Sequence, residues 1–177
     1  MRLSRLFALP LVAVAAACGS STSPGTVDAG VFRATTTGDW ALQLIGTANF
    51  VIDLTDVQNQ LPHFRIVGLD TTGASTQPYT MTIQRYGWRP TPGTYSLGPP
   101  PADFAGRIGN ATDGQVPITA GTMTVSQSSD TRLVASFSFS AQRAASGTQP
   151  AVTLNVSGAY AAVCAALQST QSCATGP

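Results

Sequence analysis

The residues of this chain able to do chemistry are few. His63 is the single histidine, all eight acidic residues are Asp, and the three cysteines stand at positions 18, 164 and 173. A serine hydrolase needs a nucleophile within reach of a base, yet no G-x-S-x-G elbow surrounds any serine, and "LPHFRI" around His63 reads as the entry to a strand. No residue is therefore assigned as catalytic. A glycosidase needs two carboxyls on facing surfaces. The aspartates of "TTGD", "ATDG" and "SSDT" read first as turn formers, and a secreted or periplasmic hydrolase using paired Asp is the alternative function. Calcium-loop repeats, P-loops and dinucleotide-binding glycines are absent, so no cofactor is expected.

One constellation carries recognition chemistry rather than bond-making chemistry. "RYGWRP" places Arg85, Tyr86 and Trp88 within four residues, and Trp40 is the second tryptophan of the chain. Exposed Tyr and Trp stack on sugar rings or peptides while Arg supplies hydrogen bonds, so these four residues are the candidate contacts for a glycan or peptide ligand. The competing reading has Tyr86 or Trp88 covering the open end of a β-domain while "PTPG" turns the chain.

Cys164 and Cys173 have the wrong spacing for a C-x-x-C zinc or redox pair and no histidine nearby, which excludes them as metal ligands. In an oxidising compartment they pair with each other, and Cys18 is left over. One unbroken helix through "AYAAVCAALQ" would hold the paired residues about 13 Å apart, beyond disulfide reach, so the chain must turn at "QSTQS".

Cys18 closes a leader. Residues 1–17, "MRLSRLFALPLVAVAAA", carry two Arg, then a short apolar run, then small residues, the plan of a secretory signal. The run is too short to span a bilayer stably. The continuation Ala15-Ala16-Ala17-Cys18-Gly19 resembles the lipobox of bacterial lipoproteins, in which the Cys is lipidated and becomes the mature N-terminus. Ala15 stands where that motif usually has Leu, and the same alanines suit an ordinary signal peptidase, which would leave a soluble protein with an unpaired N-terminal thiol. The resemblance implies membrane attachment through Cys18, and Gly19 favours the outer membrane of the bacterial envelope. Residues 18–28 then form a tether rich in Gly, Ser and Thr, reaching at most ~40 Å.

The elements that must position these side chains are strands. The chain has 177 residues, 43% of them apolar, and contains neither Lys nor Glu, so strong surface-helix formers are missing. Thr, Ser, Val and Gly suit pleated strands and turns. Without Arg2 and Arg5 the balance is seven Arg against eight Asp, which gives nucleic acid nothing to bind. Alternation is clearest in "GTMTVSQ", "LVASFSFSA" and "VTLNVSGAY", separated by turn formers, and predicts an antiparallel meander. "GVFRATT", "WALQLIG", "ANFVIDL", "HFRIVGLD", "YTMTIQRY", "GTYSLG" and "QVPITAG" extend the pattern upstream. Residues 29–177 are thus one all-β domain, an antiparallel β-sandwich or flattened barrel of about 8–10 strands. Only residues 54–60 and the Ala-rich C-terminal segment are expected to hold a turn or two of helix, and Pro78 and Pro117 belong at strand starts.

The order "PGTYSLG", "GTMTV", "ASFSFSA", "VTLNVSGAY" over residues 92–160 resembles a group of uncharacterised bacterial envelope lipoproteins with a small β-domain. The resemblance implies a lipid-anchored envelope protein with a non-catalytic domain, structural or ligand-binding, and adds no activity.

Overall fold

A computed structural model describes residues 27–54, 62–73, 75–166 and 170–174. The leader, Cys18 and all but Leu54 of the expected helical turn at 54–60 lie outside these residues. Ten strands follow one another: β1 (Val31–Gly38), β2 (Gln43–Asp53), β3 (His63–Asp70), β4 (Thr80–Tyr86), β5 (Gly93–Leu97), β6 (Ala105–Asn110), β7 (Gly114–Ser128), β8 (Arg132–Arg143), β9 (Val152–Cys164) and β10 (Gln171–Ser172). Eight of them close an antiparallel barrel in the order β1, β9, β8, β7, β6, β4, β3, β2, with β2 pairing back onto β1. β5 pairs with β7, and β10 adds to β2.

Period-two alternation decides what fills the barrel. Phe32, Phe50, Phe64, Met81, Ile108, Met123, Leu133 and Tyr160 are among the fully buried side chains. A barrel of eight strands has an interior that side chains can fill. Glycine makes room for the largest. A Cβ at Gly68 would lie 3.0 Å from the Phe32 ring, and one at Gly158 would meet the Phe137 ring at 2.7 Å and the Arg33 carbonyl at 2.1 Å. Phe137 packs on Tyr160 at 4.8 Å between centroids and Phe32 packs on it at 6.2 Å, so three strands meet through aromatic contacts.

The outer face is the reverse. Thr94, Ser96, Thr122, Thr124, Ser138 and Ser157 project into solvent from β5, β7, β8 and β9. A membrane-spanning barrel carries its apolar band outside. Here most of the large apolar residues face in, with Ile45 and Leu69 as exposed exceptions on β2 and β3.

β7 serves two neighbours in turn. It pairs with β6 through Pro117, slips register against β8 between Ile118 and Ala120, and takes up β5 from Gly121. Pro117 therefore sits inside β7 rather than at its start, at the point where the β6 ladder ends and the β8 ladder begins, so its missing N–H interrupts neither. Pro78 does precede β4.

Two further expectations are corrected. The Ala-rich segment is strand, not helix, as far as Cys164, because Ala161 and Ala162 are fully buried and paired with β8 on one side, Ala161 with β1 on the other. Packing on the barrel is already present at Val27. Val27 is buried outside the barrel wall against Ala159 and Ala161, with Val31 and Val134 beside it, and its carbonyl accepts a bond from Arg132 Nη2 at 3.4 Å. "WALQLIG" and "ANFVIDL" form the single strand β2 from Gln43 onward.

Candidate functional site

The antiparallel order gives the barrel two ends of different character. At one end lie the starts of β2 and β4 and the ends of β1, β3 and β6. Here Trp40 packs half-buried on Tyr79, 5.5 Å between centroids, and the Tyr79 hydroxyl donates to Asp113. Asn110 also donates to Asp113, at 3.0 Å. Burial, with the Asp113 carboxylate adding to it, pushes the Tyr79 hydroxyl up to about 12.

At the other end lie the end of β4, the start of β3, the β5–β6 loop and the C-terminal clasp. Arg85, Tyr86 and Trp88 are here, and the length of β4, about 20 Å, separates them from Trp40. The structure therefore brings three of the four candidate contacts together and not the fourth. Trp88 is half-buried against the core, and its carbonyl accepts from Arg85 Nε at 3.2 Å. Tyr86 is the exposed member at 55%. It stacks on His63 with centroids 5.1 Å apart and planes 27° from parallel.

A missing strand pairing creates the space above this stack. β6 pairs with β4 from Gly109 back to Ala105, which stands opposite Gln84, and there the ladder stops. Beyond it β5 belongs to β7, so the connecting loop does not pair with Arg85 and Tyr86 and instead walls the space beside them. A groove of about 300 Å³ is left, lined by His63, Gln84, Arg85, Tyr86, Asp103 and Ala105 among others. Arg85 lies over the Phe104 and Tyr95 rings, at 5.2 and 5.9 Å from their centroids, which fixes the guanidinium on the groove floor.

Asp103 is the functional candidate that sequence reasoning passed over. Its Oδ2 accepts from the Ser96 N–H and hydroxyl, each at 2.7 Å. Those bonds, the backbone one foremost, hold the Asp103 carboxyl below the usual carboxylate range, and Arg85 adds to the effect. Oδ1 keeps its acceptor capacity for a ligand. So do the Gln84 amide, the Tyr86 hydroxyl and the His63 ring nitrogens, none of which hydrogen-bonds elsewhere among the described residues. A ring platform rimmed by neutral and ionic hydrogen-bonding groups is the chemistry that receives a polyhydroxylated ring.

Arg89, also within "RYGWRP", has a different task. Its side chain is buried, with Nη1 donating to the Cys173 carbonyl at 2.8 Å and Nη2 to Asp130 at 2.9 Å. The guanidinium lies 6.0 Å from the Phe50 centroid and closes this end of the barrel. Cys173 is held there by its disulfide to Cys164, with Cα atoms 5.8 Å apart, and β10 hydrogen-bonds to β2 just before it.

The other carboxylates hold turns and ends. Asp70 accepts from Ile45 N and Thr72, and Asp39 accepts from Thr153 N. No group of three or more His, Cys or Asp comes together as metal ligands among the described residues. No known protein family, curated protein or solved structure matches this chain.

Proposed function

We propose that this protein is a lipid-anchored component of the bacterial cell envelope, attached through Cys18, whose barrel binds a saccharide without cleaving it. The observation that carries the reading is the groove beside β4. Tyr86 and His63 offer a stacked aromatic surface, and Gln84, Asp103 and Arg85 surround it with unmet hydrogen-bonding capacity. The lipobox-like leader and the tether after it supply the anchoring half of the proposal, with the outer membrane as its site. Asp pairs in a cleft would favour a hydrolase instead, and Asp103 is the one carboxylate among the described residues that line the groove.

The test has two arms. Wild-type protein and Tyr86→Ala are compared on immobilised, defined oligosaccharides, with extended peptides as the competing class. Saccharide binding that the variant loses, with its thermal unfolding unchanged, supports the groove. Binding unaffected by the substitution, or seen only with peptides, refutes the saccharide. The intact mass of protein purified from membranes, compared with Cys18→Ala, tests the anchor: an unmodified mass in the soluble fraction removes it.

A further inference from the structure

The outer face of β3, β4 and β6 carries two exposed arginines beside the groove, Arg65 and Arg107. Along the rows that cross these strands, Arg65 stands opposite Gln84, which stands opposite Ala105; one row further, Val67, Thr82 and Arg107 are aligned. Gln84 and Ala105 line the groove, so Arg65 rises beside it on β3 and Arg107 two residues along β6 from it. Cross-strand neighbours stand about 5 Å apart and same-face residues along a strand about 7 Å, well within the reach of an arginine side chain.

Both arginines are exposed, and neither makes a hydrogen bond or ion pair with any described residue. The acids nearby are fewer than the arginines. Asp103 faces Arg85 across the groove, and Asp53, opposite His63, stands diagonally from Arg65 on the same face. With Arg85 set against Asp103, Arg65 and Arg107 outnumber Asp53 on this flank of the groove, which leaves an excess of positive charge. The next strands beyond β6, β7 and β8, have Thr122, Thr124, Ser136 and Ser138 facing out and no charge among these four. In a chain whose charges nearly cancel, this placement selects among ligands.

We infer that the groove takes an acidic saccharide, its ring on Tyr86 and His63 and its carboxylate or phosphate on Arg65 and Arg107. The inference rests on the saccharide reading above and deepens it. Asp103 would accept a hydroxyl from the ring, on the side of the groove away from the anion. Two exposed guanidiniums acting on an exposed anion contribute roughly three- to thirtyfold in affinity at low ionic strength, and most of that is lost as salt rises.

The experiment uses the full chain and two matched pairs of probes. Oligogalacturonate is compared with its methyl ester, and mannose 6-phosphate with mannose, by calorimetric titration at low and high salt. The wild-type protein should prefer the charged member of one pair, and which pair it is distinguishes carboxylate from phosphate. Arg65→Gln combined with Arg107→Gln should erase that preference while leaving the neutral member's affinity in place, and Tyr86→Ala should weaken both. Equal binding of charged and neutral members, or a preference that survives the double substitution, overturns the inference and leaves the saccharide reading standing. Binding of none of the four probes overturns the two together.

Discussion

Arg89 and the disulfide should lose stability as a coupled pair. The bond between Cys164 and Cys173 closes a short ring, whose removal costs about 2.5–3 kcal/mol from chain entropy. It also keeps the Cys173 carbonyl 2.8 Å from Arg89 Nη1, and a hydrogen bond from a charged donor is worth about 1.5–3 kcal/mol. The Asp130 side chain is 67% exposed, so its ion pair with Arg89 adds less than about 1 kcal/mol. Cys164→Ala with Cys173→Ala in the wild-type background should therefore cost about 4–6 kcal/mol, because opening the clasp strands a buried guanidinium. In an Arg89→Met background, where the stem still packs on Phe50 and no charge is left behind, the same change should cost about 2.5–3 kcal/mol. Urea denaturation of the four proteins, followed by Trp40 and Trp88 fluorescence, gives the coupling energy directly. A value within about 0.5 kcal/mol of zero would show that Cys173 stays in place without its disulfide, and the account of the clasp would fail.

Tyr160 is fully buried in the barrel core with a hydroxyl that finds no hydrogen-bond partner among the described residues, so Tyr160→Phe should raise stability by about 1 kcal/mol, read as an increase in the urea midpoint at unchanged slope. A decrease would mean that the hydroxyl is satisfied inside the barrel. Tyr79 holds its proton more tightly folded than unfolded, so its stabilising contribution is complete below pH 10 and declines as pH rises toward 12. Tyrosinate absorbance should show a step near 12 that Tyr79→Phe removes, and a protein whose tyrosines all titrate near 10 while folded would contradict the contact with Asp113.

What could be read from the residues, and what could not, divides along a physical line. Period-two alternation in 121–160 located β7, β8 and β9, because a side chain's face depends only on its own strand. The pairing of β1 with β9, which with its hairpin to β2 turns a sheet into a closed barrel, is a contact between chain segments far apart in sequence and leaves no local trace. Alanine is ambiguous on its own: in "AYAAVC" it favours helix by propensity, and strand pairing on both sides overrides that. Tyr86 and Arg85 were visible by type, but the groove beside them arises from the point at which β6 stops pairing, and Asp103 had the look of any turn aspartate. Trp40 belonged with them by chemistry alone, and the strand direction of β4 places it at the far end.

The way the N-terminal segment meets the barrel also determines how the domain carries a pull. A pull on the chain just before Val27 would first peel it from its patch on Ala159 and Ala161 and then enter β1 lengthwise. β1 is aligned with β9 at eight positions and with β2 at five, on opposite sides, so the strand would be loaded in shear and its ladders would have to give way together rather than one bond at a time. A barrel entered by such a strand resists a pull on that end, and on the proposed lipid anchor it would stay folded under load.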